Sequence, residues 1–426
     1  MAQLSLDDTA HPETELRVDP SMWDAVVSPV PGHEIVVGGP GTGKTEFLCR
    51  RAAAAMASGT RPEEILVLGF SRDGTRRIRS RLIDLVGPKG HRVVVTTYPA
   101  LAMQIVEGAS AELGWASPPT VLTALEQERL VAALLATEDP SLWSPAYRQV
   151  LTSEAMASEV TDFLLRAREH RLSADDVAAA DRDQWKGLAG FMRRYDATLV
   201  DRGRIDYGSA LDAATSLVES HADIVDHIAL VLADEYQDTS PVQADLLFAI
   251  ATTGASLTVA ADPYQSIYSF RGTDIANVYD FPKRSEEKLG IAARRIVLTT
   301  SFRVPEEILA ASVAVTAREL PGGAGKVGST RTGGSIACHE FATSSEEAEW
   351  IAKDIERLHL VEQGPIDRFA GFVRFHSPFI DEVARSLDRR GIAHAYTDDR
   401  LVDQPIVRFL HDLVSVAADL AGEGDD

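Results

Sequence analysis

The chain has 426 residues, of which 45% are hydrophobic and 25% charged, and its formal net charge is -22 at pH 7. This length allows two or three domains with buried cores, and the negative charge argues against a general polyanion binder, although a local basic groove remains open to nucleic acid. Two cysteines exclude a disulfide framework and a cysteine-rich metal cluster. No apolar run suits a membrane helix and the acidic N-terminus is unlike a secretory signal, so we expect a cytoplasmic protein with no membrane partner.

Six short apolar runs, rich in branched residues, recur between stretches with helical spacing. Because each run is apolar throughout, without alternation, it suits a strand that helices cover on both faces of a parallel sheet. The pattern therefore predicts an α/β fold. The predicted strands are residues 35–37, 65–68, 93–95, 228–233, 257–261 and 296–298.

The same pattern predicts how the chain divides. Between residues 107 and 205 apolar residues recur at helical spacing and no strand run occurs, which predicts an all-helical insertion. The glycine-rich segment 321–334 lacks an apolar period and is predicted to be a surface loop. We expect an N-terminal tail over 1–16, one domain from 17–106 and 206–281, the insertion over 107–205, and the first part of a second domain over 282–426.

A glycine-rich segment follows the first predicted strand. It runs Gly38-Gly39-Pro40-Gly41-Thr42-Gly43-Lys44-Thr45, matches G-x-x-x-x-G-K-[ST], and opens a helix that continues with Glu46. Backbone amides of such a loop point at phosphate oxygens, and the helix N-terminus adds partial positive charge. We expect these nine residues to bind the phosphates of a nucleotide, with Lys44 at the β- and γ-phosphates and Thr45 at Mg²⁺.

Two acids follow the predicted strand 228–233. Asp234, at the carboxyl end of that strand, is a candidate ligand of Mg²⁺, and Glu235 is a candidate base for the attacking water. Adjacent acids at a strand end also occur in ordinary polar loops. Their combination with the glycine-rich loop favours the catalytic interpretation.

The string Asp234-Glu235-Tyr236-Gln237-Asp238, following such a loop, resembles superfamily 1 helicases of the UvrD/Rep group. Five further segments match that family in the family's own order: 65–72 with the arginine-rich helix after it, 96–102, 206–207 with Leu211, 261–272 and 300–303. The combination is far more specific than any one segment. The resemblance implies a P-loop NTPase (RecA-like) parallel sheet with a helical insertion, followed by an incomplete second RecA-like domain. The first half of that second domain would include residues 369–373 and helices over 380–390 and 407–420.

The resemblance also implies roles for individual residues. Gln265 would contact the γ-phosphate and the attacking water, Arg303 would act as an arginine finger, and Phe302 would stack on the nucleotide base. Single-stranded DNA would stack on aromatic residues beside arginines. The candidates for DNA binding are Phe70, Arg72, Tyr98, Tyr268, Phe270 and Arg271. For Phe70 and Tyr98, packing in the core is an equally good interpretation.

The chain departs from the family's pattern at several points. The family's Gln upstream of the glycine-rich loop is missing, since Met22 precedes Ala25-Val26, so the preference for ATP over other nucleotides stays open. Arg72-Asp73 and Pro99 replace residues that the family normally has as Asn-Lys and His. The family's last motifs are absent, and we interpret the chain as a fragment of a longer protein in preference to a natural truncation.

Three classes of function share parts of this pattern. The resemblance implies an ATP-dependent DNA helicase or translocase that moves 3'-5' on single-stranded DNA in repair or recombination. Its partners would be single-stranded DNA and DNA junctions. A nuclease or a second motor subunit as a protein partner is compatible with this function. The alternative is a nucleotide-dependent DNA- or protein-binding module that does not unwind. A small-molecule kinase or GTPase would share only the glycine-rich loop and would leave residues 265–271 unexplained.

Overall fold

The structure is a computed structural model, and two compact units, residues 1–335 and 336–426, make up the chain. Among the described residues, no helix is both long and apolar enough to cross a membrane. The structure describes residues 15–18, 20–23, 27, 32–111, 113, 115, 117–267, 274–316, 327–373 and 378–395.

A seven-stranded parallel sheet forms the centre of the first unit. Its strands are β1 (Glu15–Val18), β2 (His33–Gly38), β3 (Ile65–Gly69), β4 (Val94–Thr97), β5 (Leu230–Ala233), β6 (Ser256–Ala261) and β7 (Arg294–Leu298). Their order across the sheet is β1-β7-β2-β6-β5-β3-β4. All six predicted runs are therefore strands of one parallel sheet, and the predicted α/β fold is confirmed.

Successive residues of a buried strand point to opposite sides of the sheet, so both faces of this sheet are apolar. Helices cover both faces. Val36 of β2 packs with Phe47 on one face, whereas Ile35 and Val37 pack with Leu101 on the other. The helices of the first unit are α1 (Lys44–Ala57), α2 (Arg72–Val86), α3 (Tyr98–Gly108), α4 (Ala124–Leu135), α5 (Glu154–Glu169), α6 (Ala174–Ala179), α7 (Leu188–Asp201), α8 (Tyr207–Ser220), α9 (Pro241–Ala251), α10 (Ala276–Tyr279), α11 (Phe281–Leu289) and α12 (Glu306–Thr316).

Helices α4 to α7 lie within the segment predicted to be an insertion and share a hydrophobic core. Its centre includes Trp143 and Phe191, whose ring centroids lie 6.0 Å apart. The insertion differs from the all-helical prediction at its ends, where Thr120–Val121 pairs in parallel with Arg204–Ile205. Strands of two residues are too short to produce a periodic signal in the sequence. This pair joins the start of the insertion to its end.

Two strands of the sheet extend beyond the predicted domain limits. β7 lies after the predicted boundary at residue 281 but pairs with both β1 and β2 of the first sheet. β1 begins at Glu15, inside the segment predicted to be a tail. An apolar run shows that a strand exists but not which sheet it joins, and this explains the difference at β7.

The predicted loop over 321–334 contains a short paired segment. Gly328–Ser329 pairs in parallel with Thr300–Ser301, close to the glycine-rich loop. Residues 321–326 lie outside the described part of the chain.

The second unit contains helices α13 (Ser344–Leu360) and α14 (Pro378–Asp388), and α14 corresponds to a predicted helix. Arg390 joins them, because its guanidinium pairs with Glu349 and Glu356 of α13. Residues 369–373 have no regular secondary structure. The helix predicted over 407–420 lies outside the described residues.

Candidate nucleotide site

The loop between β2 and α1 depends on two glycines with left-handed backbone. Gly41 has a φ of 74° and Gly43 a φ of 91°. A Cβ on Gly41 would lie 2.7 Å from the Cβ of Arg303, and one on Gly43 would lie 2.6 Å from the ring of Trp23. Only glycine fits both the conformation and the space, so the loop keeps the curled shape that lets its amides face a phosphate group.

Three neighbouring strands bring the polar residues of the site together. Thr45, in the first turn of α1, donates its hydroxyl to Oδ2 of Asp234 at 2.7 Å. The ammonium of Lys44 lies 3.6 Å from Oδ2 of Asp262, which follows β6. Gln265 donates to that same oxygen at 2.5 Å. The structure therefore gathers four predicted residues at one edge of the sheet.

Lys44 is held inside the loop that precedes it. Its Nζ donates to the carbonyl oxygens of Gly38 and Gly39 at 2.9 and 3.1 Å, and the residue is 8% exposed. Thr42 closes the same turn by donating its hydroxyl to the carbonyl of Gly39 at 2.9 Å. The positive charge of Lys44 thus lies between the loop and the acids.

Asp234 and Thr45 fit the ligand preference of a magnesium ion. Oδ1 of Asp234 is buried and has no hydrogen-bond partner among the described residues. Burial, and then the charge of Glu235, raise the pKa of Asp234 to about 6, although the bond from Thr45 opposes that shift. Mg²⁺ prefers carboxylate and hydroxyl oxygens together with substrate phosphates, and it needs few protein ligands.

Glu235 adopts a backbone conformation that is uncommon for its residue type. Its φ and ψ are 53° and 44°, in the left-handed region, and the residue is half-buried. Such a conformation in a residue other than glycine costs on the order of 1–3 kcal/mol and clusters at functional sites. Nearby, burial and the charge of Glu235 raise the pKa of Asp238 to about 7.

The sequence motifs predicted no role for two residues that link the site. Asp262 accepts from Gln265 and faces Lys44, and the buried Gln237 bridges Glu235 and Asp262. One signal was available, because Asp262 directly follows an apolar run just as Asp234 does. Gln237 belongs to the string that carries the family resemblance, but its contacts could not be predicted from that string, since they depend on the order of the strands.

The segment after β7 packs on the glycine-rich loop. The Ser301 hydroxyl donates to the carbonyl of Pro40 at 2.8 Å, and the Phe302 amide donates to the carbonyl of Gly41 at 2.9 Å. The Phe302 ring is 43% exposed and meets Trp23 edge-on at 6.3 Å. The predicted residues Phe302 and Arg303 are therefore beside the loop, and Trp23 is a neighbour that motif reading missed.

Glu46, a member of the predicted nucleotide-binding set, has its carboxylate paired with two arginines. Its carboxylate accepts from Arg50 and from Arg81 of α2, each at 2.7 Å. The bonds from Arg81 are the main reason why its pKa is lowered. Helix geometry places Arg50 one turn after Glu46, so the carboxylate joins α1 to α2 and takes no part in the loop.

Tyr98 is a correction among the residues predicted to bind DNA. It is 2% exposed and packs in the main core with Leu101 and Ala102. It starts the apolar stripe of α3, and this stripe faces the sheet, so its ring is not available for stacking. Phe70 is half-buried and Arg72 is exposed. The other three candidates, Tyr268, Phe270 and Arg271, lie outside the described residues.

Some arginines of helix α2 bond to other parts of the protein, and others are exposed at the surface. Arg79 donates to the carbonyl of Val95 at 2.7 Å, and Arg81 pairs with Glu46. Arg72, Arg76 and Arg77 are exposed, and Arg76 lies 3.2 Å from Asp73. Three guanidinium groups therefore remain at the surface beside the carboxyl edge of the sheet.

A parallel sheet with this loop after β2 and acids after β5 and β6 defines a P-loop NTPase. A family model described as UvrD/REP helicase N-terminal domain matches residues 18–286, more than half of the chain. The chain belongs to this UvrD/REP helicase family, as the sequence motifs predicted.

Curated relatives agree with this membership. The chain is 26% identical over 359 residues to the ATP-dependent DNA helicase UvrD1 of Mycobacterium tuberculosis, covering 80% of this chain and 44% of that protein. It is 25% identical over 352 residues to the ATP-dependent DNA helicase PcrA of Leuconostoc citreum, covering 80% and 45%. For PcrA of Staphylococcus epidermidis the identity is 23% over 330 residues, covering 76% and 43%. The chain spans less than half the length of these relatives.

Proposed function

We propose that this chain carries the ATP-hydrolysing motor of a DNA helicase or translocase, which moves 3'-5' along single-stranded DNA in repair or recombination. The observation that supports it best is the 2.7 Å bond from Thr45 to Asp234 beside the glycine-rich loop. Lys44 and Gln265 meet on Asp262 in the same place. The relatives named ATP-dependent DNA helicases support the choice of ATP and DNA.

In the proposed reaction, water attacks the γ-phosphorus of ATP and the bond from that phosphorus to the β–γ bridging oxygen breaks. The proton of the water passes to Glu235, which acts as general base. Lys44 binds the β- and γ-phosphate oxygens, and Gln265 orients the water. Arg303, beside Gly41, stabilises the charge that spreads over the transferred group.

Thr45 and Asp234 are the residues that would hold Mg²⁺ with the nucleotide. The ion would supply positive charge that neutralises the phosphate oxygens. Asp234 must be ionised for that role, so its raised pKa of about 6 implies weaker binding of the metal–nucleotide complex in acid.

The proposed DNA track runs along the carboxyl edge of the sheet. Phe70 and the exposed Arg72 lie at the start of α2, where base stacking and phosphate contacts are both available. Tyr268, Phe270 and Arg271 remain proposed DNA contacts on the strength of their motif. DNA junctions as substrates, and a nuclease or second motor subunit as partner, belong to the same proposal.

The test uses Glu235→Gln in the full chain with single-stranded DNA. We expect ATP turnover to fall by about 10²–10⁴-fold, because general-base catalysis contributes that much, while Mg-ATP binding is retained. Turnover is measured by phosphate release and binding by titration calorimetry. The exposed Glu286→Gln on α11 serves as the matched control and should behave as the unsubstituted chain.

Two outcomes would contradict the proposal in different ways. Loss of Mg-ATP binding in Glu235→Gln would contradict the role of Glu235 as a base. An unsubstituted chain that binds ATP and DNA but shows no DNA-stimulated turnover would favour the alternative, a nucleotide-dependent binding module.

A further inference from the structure

Gln237 is a buried amide between the acids of the site. It is 1% exposed and lies in the short turn Tyr236–Asp238 after β5. Its Nε2 donates to Oε2 of Glu235 at 2.8 Å and, more weakly, to Oδ2 of Asp238 at 3.4 Å. Its Oε1 accepts the backbone amide of Asp262 at 2.9 Å. Both ends of the carboxamide are therefore engaged.

The donor end restrains a residue whose backbone is strained. Glu235 lies in the left-handed region, where residues other than glycine are rarely stable without support from their surroundings. A hydrogen bond from a buried amide fixes the direction of its carboxylate. Gln237 also places a neutral donor between Glu235 and Asp238, and this keeps the two carboxylates from facing each other directly.

The acceptor end connects the turn after β5 to the turn after β6. Asp262, whose amide Gln237 accepts, also accepts from Gln265 and faces Lys44. The hydroxyl of Ser266 lies 3.4 Å from the carbonyl oxygen of Gln237 and adds a second link to the same turn. A movement of the β6 turn would thus reach Glu235 through one side chain.

We propose that Gln237 is a positioning residue that holds the Glu235 carboxylate in the direction needed to accept the proton, and ties that direction to the turn carrying Gln265. The inference rests on the proposed ATP hydrolysis and adds the residue that orients its base. Gln237 acts through Glu235. A 1 Å misplacement of a reacting group can lower a rate by about 10²-fold, and this sets the size of the expected effect.

The first test is Gln237→Met, which keeps the length of the side chain and removes both hydrogen-bonding ends. We expect kcat for DNA-stimulated ATP hydrolysis to fall by about 10–10²-fold, because the base is no longer oriented, with KM for ATP unchanged. The matched control is Gln243→Met on α9, since Gln243 accepts only the backbone amide of Ser240 in the same region. The control should keep both kcat and KM.

A double substitution separates positioning from general support of the fold. If Gln237 acts through Glu235, Gln237→Met should lower the residual rate of Glu235→Gln no further, because residues that act as a unit are not additive. A merely structural role predicts an added loss in that background, together with a higher KM or a lower Tm.

A second variant keeps the test decisive if Gln237→Met does not fold. Gln237→Glu retains an acceptor for the Asp262 amide, loses the donor, and adds a negative charge beside Glu235. We expect at least the same loss of kcat. If the unsubstituted chain is active and either folded variant keeps the same kcat, the inference about Gln237 is overturned and the proposed function stands. If the unsubstituted chain shows no DNA-stimulated turnover, the inference and the proposed function are both overturned.

Discussion

Glu34 is a buried carboxylate of β2 that faces two arginines. Arg51 of α1 and Arg294 of β7 both pair with it, and Arg51 also donates to the Thr258 hydroxyl at 3.0 Å. Glu34 and Arg51 are 3% and 2% exposed. Burial, and then the charge of Arg294, lower the pKa of Arg51 to about 9. This carboxylate therefore offsets the charge of the buried Arg51 and of the partly exposed Arg294.

Replacing that carboxylate tests its contribution. We expect Glu34→Ala to lower the free energy of unfolding by about 3–5 kcal/mol, because removing one partner leaves buried charge uncompensated. Urea unfolding of the full chain measures the change. The control is Glu64→Ala, which breaks a surface pair with Arg61 and should have a much smaller effect. Equal losses in the two variants would contradict the assigned role of Glu34.

Motif spacing predicted the residues of the site whose chemistry is local. Lys44 and Thr45 belong to one loop, and Asp234 and Glu235 directly follow one strand. Gln237, Asp262 and Trp23 could not be predicted in the same way, because their contacts depend on sheet order. β6 lies between β2 and β5, and this places Asp262 beside Lys44.

At the scale of elements, burial decided which strands could be predicted. The six runs that helices cover on both faces are apolar throughout, so their sequences reveal them. β1, with the sequence Glu-Leu-Arg-Val, alternates polar and apolar residues at the edge of the sheet and lacks that signal. The motif at 96–102 left both DNA contact and core packing open for Tyr98, and the structure places Tyr98 in the core at the start of α3.

Helix α5 of the insertion carries a buried acid near its end. Glu169 is 7% exposed, and its Oε2 has no hydrogen-bond partner within the described part of the chain. Burial raises its pKa from 4.5 to about 7, although the charge of Arg166 opposes this. Between these two values the folded state holds a proton that the unfolded state has released. The insertion therefore loses stability as pH rises through that window.

Glu169→Gln removes this titration while keeping the shape of the side chain. We expect the variant to be more stable than the unsubstituted chain at pH 8 by about 1–3 kcal/mol. The two should be similar near pH 4, where the carboxyl is protonated in the folded state and mostly protonated in the unfolded state. Urea unfolding at the two pH values measures the difference. The exposed Glu159→Gln on the same helix is the control. A pH-independent difference would contradict the burial of an ionisable carboxyl.

At the scale of the whole molecule, charge is divided unevenly. The chain carries a formal charge of -22, so its averaged field repels DNA, whereas α2 presents Arg72, Arg76 and Arg77 at the surface. In the proposed DNA binding, attraction would therefore act over short distances at a few guanidinium groups. Added salt screens the repulsion between distant charges and also weakens the phosphate contacts.

The salt dependence of DNA binding distinguishes these two effects. If Arg72, Arg76 and Arg77 bind phosphates of single-stranded DNA, replacing all three by Ala should reduce the slope of log affinity against log salt by about 0.7 for each phosphate that is no longer neutralised. Fluorescence anisotropy between low and moderate salt measures that slope. Arg202→Ala, an exposed arginine after α7, should leave it unchanged. An unaltered slope in the triple variant would show that these three arginines do not bind the DNA phosphates. The averaged field alone cannot distinguish the variants by position, because it depends on total charge and not on which arginines are removed.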